Sequence, residues 1–390
     1  MSDFAPFAGQ RLLPAEYLDR PNRFVVHCRL EDGQRVRAFL PNPGRMWELL
    51  LPGARLQIVE APAGAGAGGR RTRFTAVAVE RAGAPVLLDT HRTNCVARHL
   101  IESGLVPGLE GAAIAGAEVA VGRSRFDFLL RQGRREAYLE VKSCTLFGNR
   151  VAMFPDAVTE RGRRHLAELA HLGERGTRPT VLFVVHSWDV DWFMPDYHTD
   201  LEFSRAFLEV RRDLRILPVA VRWQADLTLS GQTRLLPVPW AHLQREVADR
   251  GSYLLVMRLP RPRRLQVGQL GTHLFPAGHW VYVGSAMRAL SARVARHLRH
   301  RKTCRWHVDY LRPAAGQVVA LPVRSSRRQE CDLARAVARL LDPGPTGFGS
   351  SDCSCPTHLF HSAVDPLARP DFHVLLQSFR MRPPGSAAVA

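Results

Sequence analysis

The run Thr180–His186, TVLFVVH, limits most tightly what this chain can become. A strand that leaves one face in water alternates apolar with polar residues, whereas a run apolar at every central position must be covered on both faces. That is the condition of a central strand in a sheet flanked by helices. The neighbouring segments agree. Asn94–Ser103 reads as a helix, and Ala117–Val121, Phe126–Leu130 and Ala137–Cys144 read as three consecutive strands. Arg161–Leu172 is helical, with Leu166, Leu169, Ala170 and Leu172 on one apolar face. A helix over Leu201–Arg212 and a strand over Ile216–Arg222 follow. The pattern predicts an α/β domain with a central mixed sheet over residues 90–225.

Length leaves room on either side, since 390 residues argue for two or three domains. Residues 1–89 read as a small β domain. Arg23–Leu30 and Gln34–Leu40 join at Asp32-Gly33, a hairpin signal, and Pro41-Asn42-Pro43-Gly44 interrupts the pattern before Arg55–Glu60 and Thr72–Val79 resume it. Barrels of this size, the OB type among them, bind nucleic acid across one face or serve as plain structural modules. The stretch APAGAGAGGRR, residues 61–71, is expected to be a mobile loop. Residues 226–250 read as a linker, 251–375 as a second α/β domain, and 376–390 as a disordered tail.

Charge selects a partner class. With 54 Lys+Arg against 36 Asp+Glu the net charge is +18, and residues 251–390 alone hold 20 of the bases and 7 of the acids. Such a chain is suited to a polyanion, with DNA or RNA foremost. The seven cysteines are scattered and odd in number, the first ten residues lack a basic-then-apolar secretory pattern, and no apolar run approaches the ~18 residues of a membrane span. A soluble cytoplasmic protein without membrane contact is expected; oligomeric state is left open.

Only Lys142 and Lys302 are lysines; the other 52 basic residues are Arg. Lys142 lies in Glu140-Val141-Lys142, and alternate residues of a strand share a face, so Glu140 and Lys142 stand together. Asp127, separated from Glu140 by twelve residues and on the preceding strand, can join them. Two carboxylates suit Mg²⁺ or Mn²⁺, hard cations that take oxygen ligands and retain water. A compact ammonium beside them can orient the attacking water and stabilise charge on phosphorus, which a delocalised guanidinium does less well. The plain alternative is a surface ion pair worth about 0–1 kcal/mol.

These residues lie within Gly122–Phe128, Tyr138–Leu146 and Phe154–Gly162, the last continuing to His165-Leu166. Together with Pro41–Met46, these segments resemble the sugar fermentation stimulation protein family, SfsA, over roughly residues 10–225. The resemblance implies an OB-like domain followed by a PD-(D/E)xK nuclease-like domain that binds DNA. Asp127, Glu140 and Lys142 would be its catalytic and metal-binding triad. Arg45, Arg125, Arg161 and His165 are candidate nucleic-acid contacts. Glu118 is a further candidate ligand, against its reading as a solvated strand residue.

A second set follows. Two apolar strands, Gly251–Val256 and Gly278–Gly284, each carry a tyrosine, Tyr253 and Tyr282. A helix-like run, Leu290–Arg299, carries Arg293, Arg296 and His297, and Glu330 opens another helix. One carboxylate to hold a metal, one guanidinium to neutralise the scissile phosphate and a tyrosine hydroxyl to take a proton from water form a phosphodiesterase kit. Their spacing, with Val281–Ala286, Trp306–Leu311 and Gly347–Cys353, resembles GIY-YIG-type nucleases over about residues 251–362. That resemblance implies catalytic Tyr253, Tyr282 and Arg293 and catalytic, metal-binding Glu330. Arg296, His297 and His307 are candidate nucleic-acid contacts.

Cys353, Cys355 and His358 form C-x-C-x₂-H, which offers at most three zinc ligands; Cys304, Cys331, His307 and His361 lie elsewhere. The reading is a DNA-binding, metal-dependent nuclease. The alternative is a non-catalytic DNA-binding regulatory protein of the sugar fermentation stimulation type. A basic ribosome-associated protein would account for the charge but leaves Asp127, Glu140 and Glu330 without a task.

Overall fold

The computed structural model describes residues 4–61, 72–122, 124–173 and 179–385. Residues 62–71, nearly all of the segment expected to be a mobile loop, and residues 386–390 of the expected tail lie outside them. The chain forms two compact units. One runs to Asp196 and resumes over Glu202–Trp240; the other comprises Tyr197–Leu201 and the chain from Ala241.

The first unit opens with β1 (Leu13–Asn22), β2 (Val25–Leu30), β3 (Arg35–Phe39), β4 (Arg55–Glu60), β5 (Phe74–Arg81) and β6 (Ala84–Leu87). Their order is β3-β2-β1-β4-β5-β6, and Ala38 and Phe39 also pair with Phe74 and Thr75. That second pairing of β3 closes the first five strands into a barrel, as expected for an OB-like domain. β1 escaped the sequence reading because it carries Pro14 and Pro21 and ends in a turn, both adverse to a continuous strand signal.

The chain continues through α1 (Thr93–Glu102), β7 (Ala113–Val121), β8 (Ser124–Gln132), β9 (Arg135–Cys144), β10 (Leu146–Gly148), β11 (Val151–Phe154), α2 (Glu160–Gly173), β12 (Thr180–Val185), β13 (Trp192–Pro195), α3 (Leu201–Glu209), β14 (Arg215–Trp223) and β15 (Leu229–Leu235). The main sheet is ordered β15-β14-β12-β9-β8-β7. Its centre β9-β12-β14 is parallel and its flanks are antiparallel. All six residues of β12 are buried, as its apolar run requires. Leu139 and Val141 of β9 pack with Leu100, Leu182 and Val219, and the same core includes Val59 and Val77 of the barrel and Leu87 of β6. Each such side chain contributes roughly 1.5–3 kcal/mol by burial, so barrel and sheet stabilise one another.

Residues 226–250 are more than a linker. β15 adds an edge strand to β14, and α4 (Trp240–Glu246) follows it. β15 reads LSGQTRL, too polar and glycine-interrupted to signal a strand, and its place at the sheet edge permits that polarity.

The second unit contains β16 (Gly251–Leu259), β17 (Arg263–Gln266), β18 (Thr272–Phe275), β19 (Gly278–Ala286), α5 (Leu290–Leu298), α6 (His307–Leu311), β20 (Val318–Arg324), α7 (Glu330–Ala338), β21 (Asp342–Pro343), β22 (Leu359–Ser362) and α8 (Pro370–Arg380). An antiparallel sheet, β20-β16-β19-β22-β21, forms its floor, and β17 and β18 make a separate hairpin. α8 extends through the boundary at 376, with Phe379 and Met381 buried, so the expected disordered tail is corrected at least to that point. Among the described residues no helix is long and apolar enough to cross a membrane.

Candidate active site

In the first unit the register sets Phe128 of β8 opposite Leu139 of β9, which brings Asp127 beside Glu140 and Val141. Asp127 Oδ2 accepts the Val141 backbone N–H at 2.7 Å, and Oδ1 accepts from Asn94 Nδ2 at 2.8 Å. Burial, and then the neighbouring Glu140 charge, raise the Asp127 carboxyl above its ordinary range. Lys142 Nζ donates to Glu140 Oε1 at 2.5 Å, and His165 Nδ1 lies 2.6 Å from the same oxygen. Glu140 Oε2 is buried with no hydrogen-bond partner. Leaving a buried carboxylate oxygen unmatched costs on the order of 1–3 kcal/mol or more. The predicted triad therefore meets in one place.

The surrounding candidates fare differently. His165, expected to touch nucleic acid, is only 3% exposed and bonded to Glu140; α2 points it into the protein, so it positions the carboxylate. Arg161, one turn earlier, is exposed and donates from Nε to His165 Nε2 at 3.3 Å. Arg125 is exposed and paired with Glu118 at 3.0 Å. Glu118 is thereby accounted for as a surface ion pair and adds nothing to the triad. Arg45 is half-buried, its guanidinium 5.0 Å from the Trp47 ring. Its loop is held by Asp156, whose Oδ2 accepts the Met46 N–H at 2.6 Å. Asn94 was missed: it opens α1 in no recognisable motif, and only the fold brings it to Asp127.

In the second unit β16 and β19 run antiparallel with Tyr253 opposite Gly284 and Leu255 opposite Tyr282. The two tyrosine rings stand 6.3 Å apart, both almost fully buried. Burial pushes both phenols up. Both also feel the charges of Arg293 and Glu330, so the four predicted residues converge. Arg293 lies 4.2 Å from the Trp306 ring. Glu330 Oε2 accepts from the Ser285 hydroxyl and its Oε1 lies 3.4 Å from His358 Nδ1. Despite the opposing effect of burial, these donors hold the Glu330 carboxyl below its ordinary range.

Two glycines make room for these rings. A Cβ on Gly284 would lie 2.4 Å from Tyr253 Oη, and one on Gly349, at φ +73°, 2.7 Å from Tyr282 Cε2. Gly284→Ala should lower stability by about 1–3 kcal/mol, the usual range for overpacking, read as an earlier denaturant midpoint with unchanged slope.

His297 serves inside the fold, which corrects its expected role as a nucleic-acid contact, while Arg296 and His307, both half-buried, also make hydrogen bonds within it. Arg296 Nη1 reaches both oxygens of the buried Asp309, at 3.1 and 3.0 Å. His297 is buried with Nε2 2.9 Å from Tyr253 Oη, and burial lowers it to about 4. His307 Nδ1 accepts the Gly349 N–H at 2.9 Å. Lys302 is also explained, since Nζ binds Asp309 at 2.9 Å and donates to the α5 carbonyl of His297 at 2.9 Å.

Comparison with known proteins covers both units. Residues 18–88 match the SfsA N-terminal OB domain and residues 91–226 the sugar fermentation stimulation protein RE domain. Residues 252–379 match a domain of unknown function, DUF123. The sugar fermentation stimulation protein homolog of Methanothermobacter thermautotrophicus is 40% identical over 194 residues, 50% of this chain and 79% of that protein. That of Moorella thermoacetica is 40% identical over 199 residues, 51% and 84% of the two chains. A solved structure, Pyrococcus furiosus SfsA in complex with Ca²⁺, aligns with a TM-score of 0.53 and 29% identity, covering 58% of this chain and 96% of that one. With barrel and mixed sheet matched along most of such relatives, this chain belongs to the sugar fermentation stimulation protein family.

Proposed function

We propose that the protein is a DNA-binding, metal-dependent nuclease with two sites, a PD-(D/E)xK-like one around Asp127, Glu140 and Lys142 and a GIY-YIG-like one around Tyr253, Tyr282, Arg293 and Glu330. The observation that carries this reading is the unpartnered, buried Glu140 Oε2 beside a second carboxylate. Two adjacent acids in a chain of net charge +18 repel phosphate unless a cation stands between them. They suit Mg²⁺ or Mn²⁺, and the Ca²⁺ bound by the Pyrococcus relative is another oxygen-seeking ion. When bound, such an ion supplies Lewis acidity at phosphate and a more acidic water.

The chain's own residues do the rest. Asp127 and Glu140 would hold the cation, with Asn94 and the Val141 N–H fixing the first carboxylate and His165 the second. Lys142 is steered by Glu140 and offers its remaining N–H groups to phosphate or to the attacking water. In the second site the His297 ring, kept neutral by burial, can accept the Tyr253 proton at Nε2 as Tyr253 Oη takes one from water. Arg293 faces the charge developing on phosphate, and Glu330 is the carboxylate for the cation.

The test is incubation of the whole protein with single-stranded DNA, duplex DNA and RNA, each with Mg²⁺, Mn²⁺ or EDTA. Cleavage that needs the metal and falls in Lys142→Ala or Tyr282→Phe is the expected result. Retarded DNA with no products from any substrate would instead favour the regulatory reading. Binding should weaken linearly in log K against log salt, at about 0.9 per duplex phosphate neutralised, as read by a salt titration.

A further inference from the structure

We infer that Cys331, Cys353, Cys355 and His358 form a zinc site in the second unit, with three thiolates and the Nε2 of His358 as ligands. The four ligand atoms all lie within 4.8 Å of one another. Around a tetrahedral zinc with Zn–S of about 2.3 Å, neighbouring sulfurs stand about 3.8 Å apart, so only a small contraction is needed. Thiolates with one imidazole in tetrahedral array select zinc over the hard cations suited to Asp127 and Glu140. In sequence only C-x-C-x₂-H is visible. The fourth ligand, Cys331, lies 22 positions before Cys353 and arrives on the first turn of α7.

The ligands are held by backbone already in place. Gly347 N donates to Pro356 O at 2.7 Å and His358 N to Phe348 O at 2.8 Å, which folds residues 347–358 back on themselves. Val283 N then donates to His358 O at 2.9 Å, fastening the loop to β19. The His358 ring is buried, with Nε2 3.5 Å from Cys353 Sγ and Nδ1 3.4 Å from Glu330 Oε1. Sulfur on one side of an imidazole and a carboxylate on the other is the arrangement by which zinc-bound histidines are oriented. Three thiolates with Zn²⁺ leave one negative charge, and Arg335, on the next turn of α7, is the cation felt by Cys355. Binding releases one proton from each thiol. A disulfide would join two of the three cysteines and leave the third, and the buried ring nitrogen, without a task.

The zinc would pin the loop to α7 and set His358 against Glu330; this last consequence alone rests on the nuclease reading. The test is the metal content of the full chain purified under reducing conditions and supplied with zinc alone, with no nucleic acid present. One zinc per chain is expected, retained in Cys95→Ser/Cys304→Ser and lost in Cys353→Ser. Should Cys353→Ser fail to fold, Co²⁺ titrated into the chelator-stripped wild-type chain reads the same site. It should give tetrahedral and thiolate charge-transfer bands that saturate at one equivalent. Zinc retained by folded Cys353→Ser, a folded chain without zinc or cobalt bands, or a non-reduced chain lighter by two hydrogens would each overturn the site. Absence of DNA cleavage would not, since metal content is read independently of it.

Discussion

Glu140→Gln, made in a chain whose second site is silenced by Glu330→Gln, should reduce metal-dependent DNA cleavage by about 10²–10⁴-fold, the range carried by one electrostatic or acid–base contribution. The amide keeps the shape of the side chain but removes the charge that holds the cation and steers Lys142. His165 would still have an oxygen to bond, so the fold should survive. Single-turnover rates across a Mg²⁺ titration measure the loss. His165→Ala, which leaves Glu140 charged and merely unsupported, should cost less and be partly restored by His165→Asn if hydrogen bonding alone matters.

The second large effect concerns stability. Asp309 is fully buried and accepts from Arg296, Lys302 and the backbone N–H groups of Arg305 and Trp306. Asp309→Ala leaves the Lys302 ammonium with the α5 carbonyls but no counter-charge, and two N–H groups with no acceptor. Removing one partner of a buried ion pair costs about 3–5 kcal/mol. Hydrogen exchange should show lost protection over residues 290–311 with β9 and β12 unaffected. Burial opposes ionisation of Asp309, yet the backbone and cationic donors outweigh it and lower the carboxyl to about 2. Its folded value is below the ordinary 3.8, so the stabilisation is present above about pH 4 and is lost as pH falls towards 2. That window corresponds to about 2 kcal/mol. Acid melts of wild type should show this loss, and melts of Asp309→Asn should lack it.

Periodicity made the central α/β sheet legible, because a strand buried on both faces cannot hide its apolar run and Glu-Val-Lys cannot place its ends on opposite faces. Asp127 could be tied to Glu140 because β8 and β9 are joined by a short turn. What escaped depended on long-range pairing. The parallel contact between β3 and β5 closes the barrel across 35 or so residues, and nothing local announces it. β15 is polar because edge strands tolerate polarity. The histidines misled for a common reason: an imidazole is as apt to bond a buried partner as a phosphate, and sequence does not state which way a helix turns it. His165 and His297 both face inward. Cys331 stands far from the C-x-C-x₂-H loop in sequence, and only α7 brings it there.

The most direct measurement is product analysis on end-labelled DNA with Mg²⁺ for wild type, Lys142→Ala, Glu330→Gln and the double variant, with EDTA alongside. Two metal-dependent sites predict products from each single variant, none from the double and none in EDTA. Undiminished cleavage by the double variant, or retention of DNA by the wild type without any product, would contradict the account.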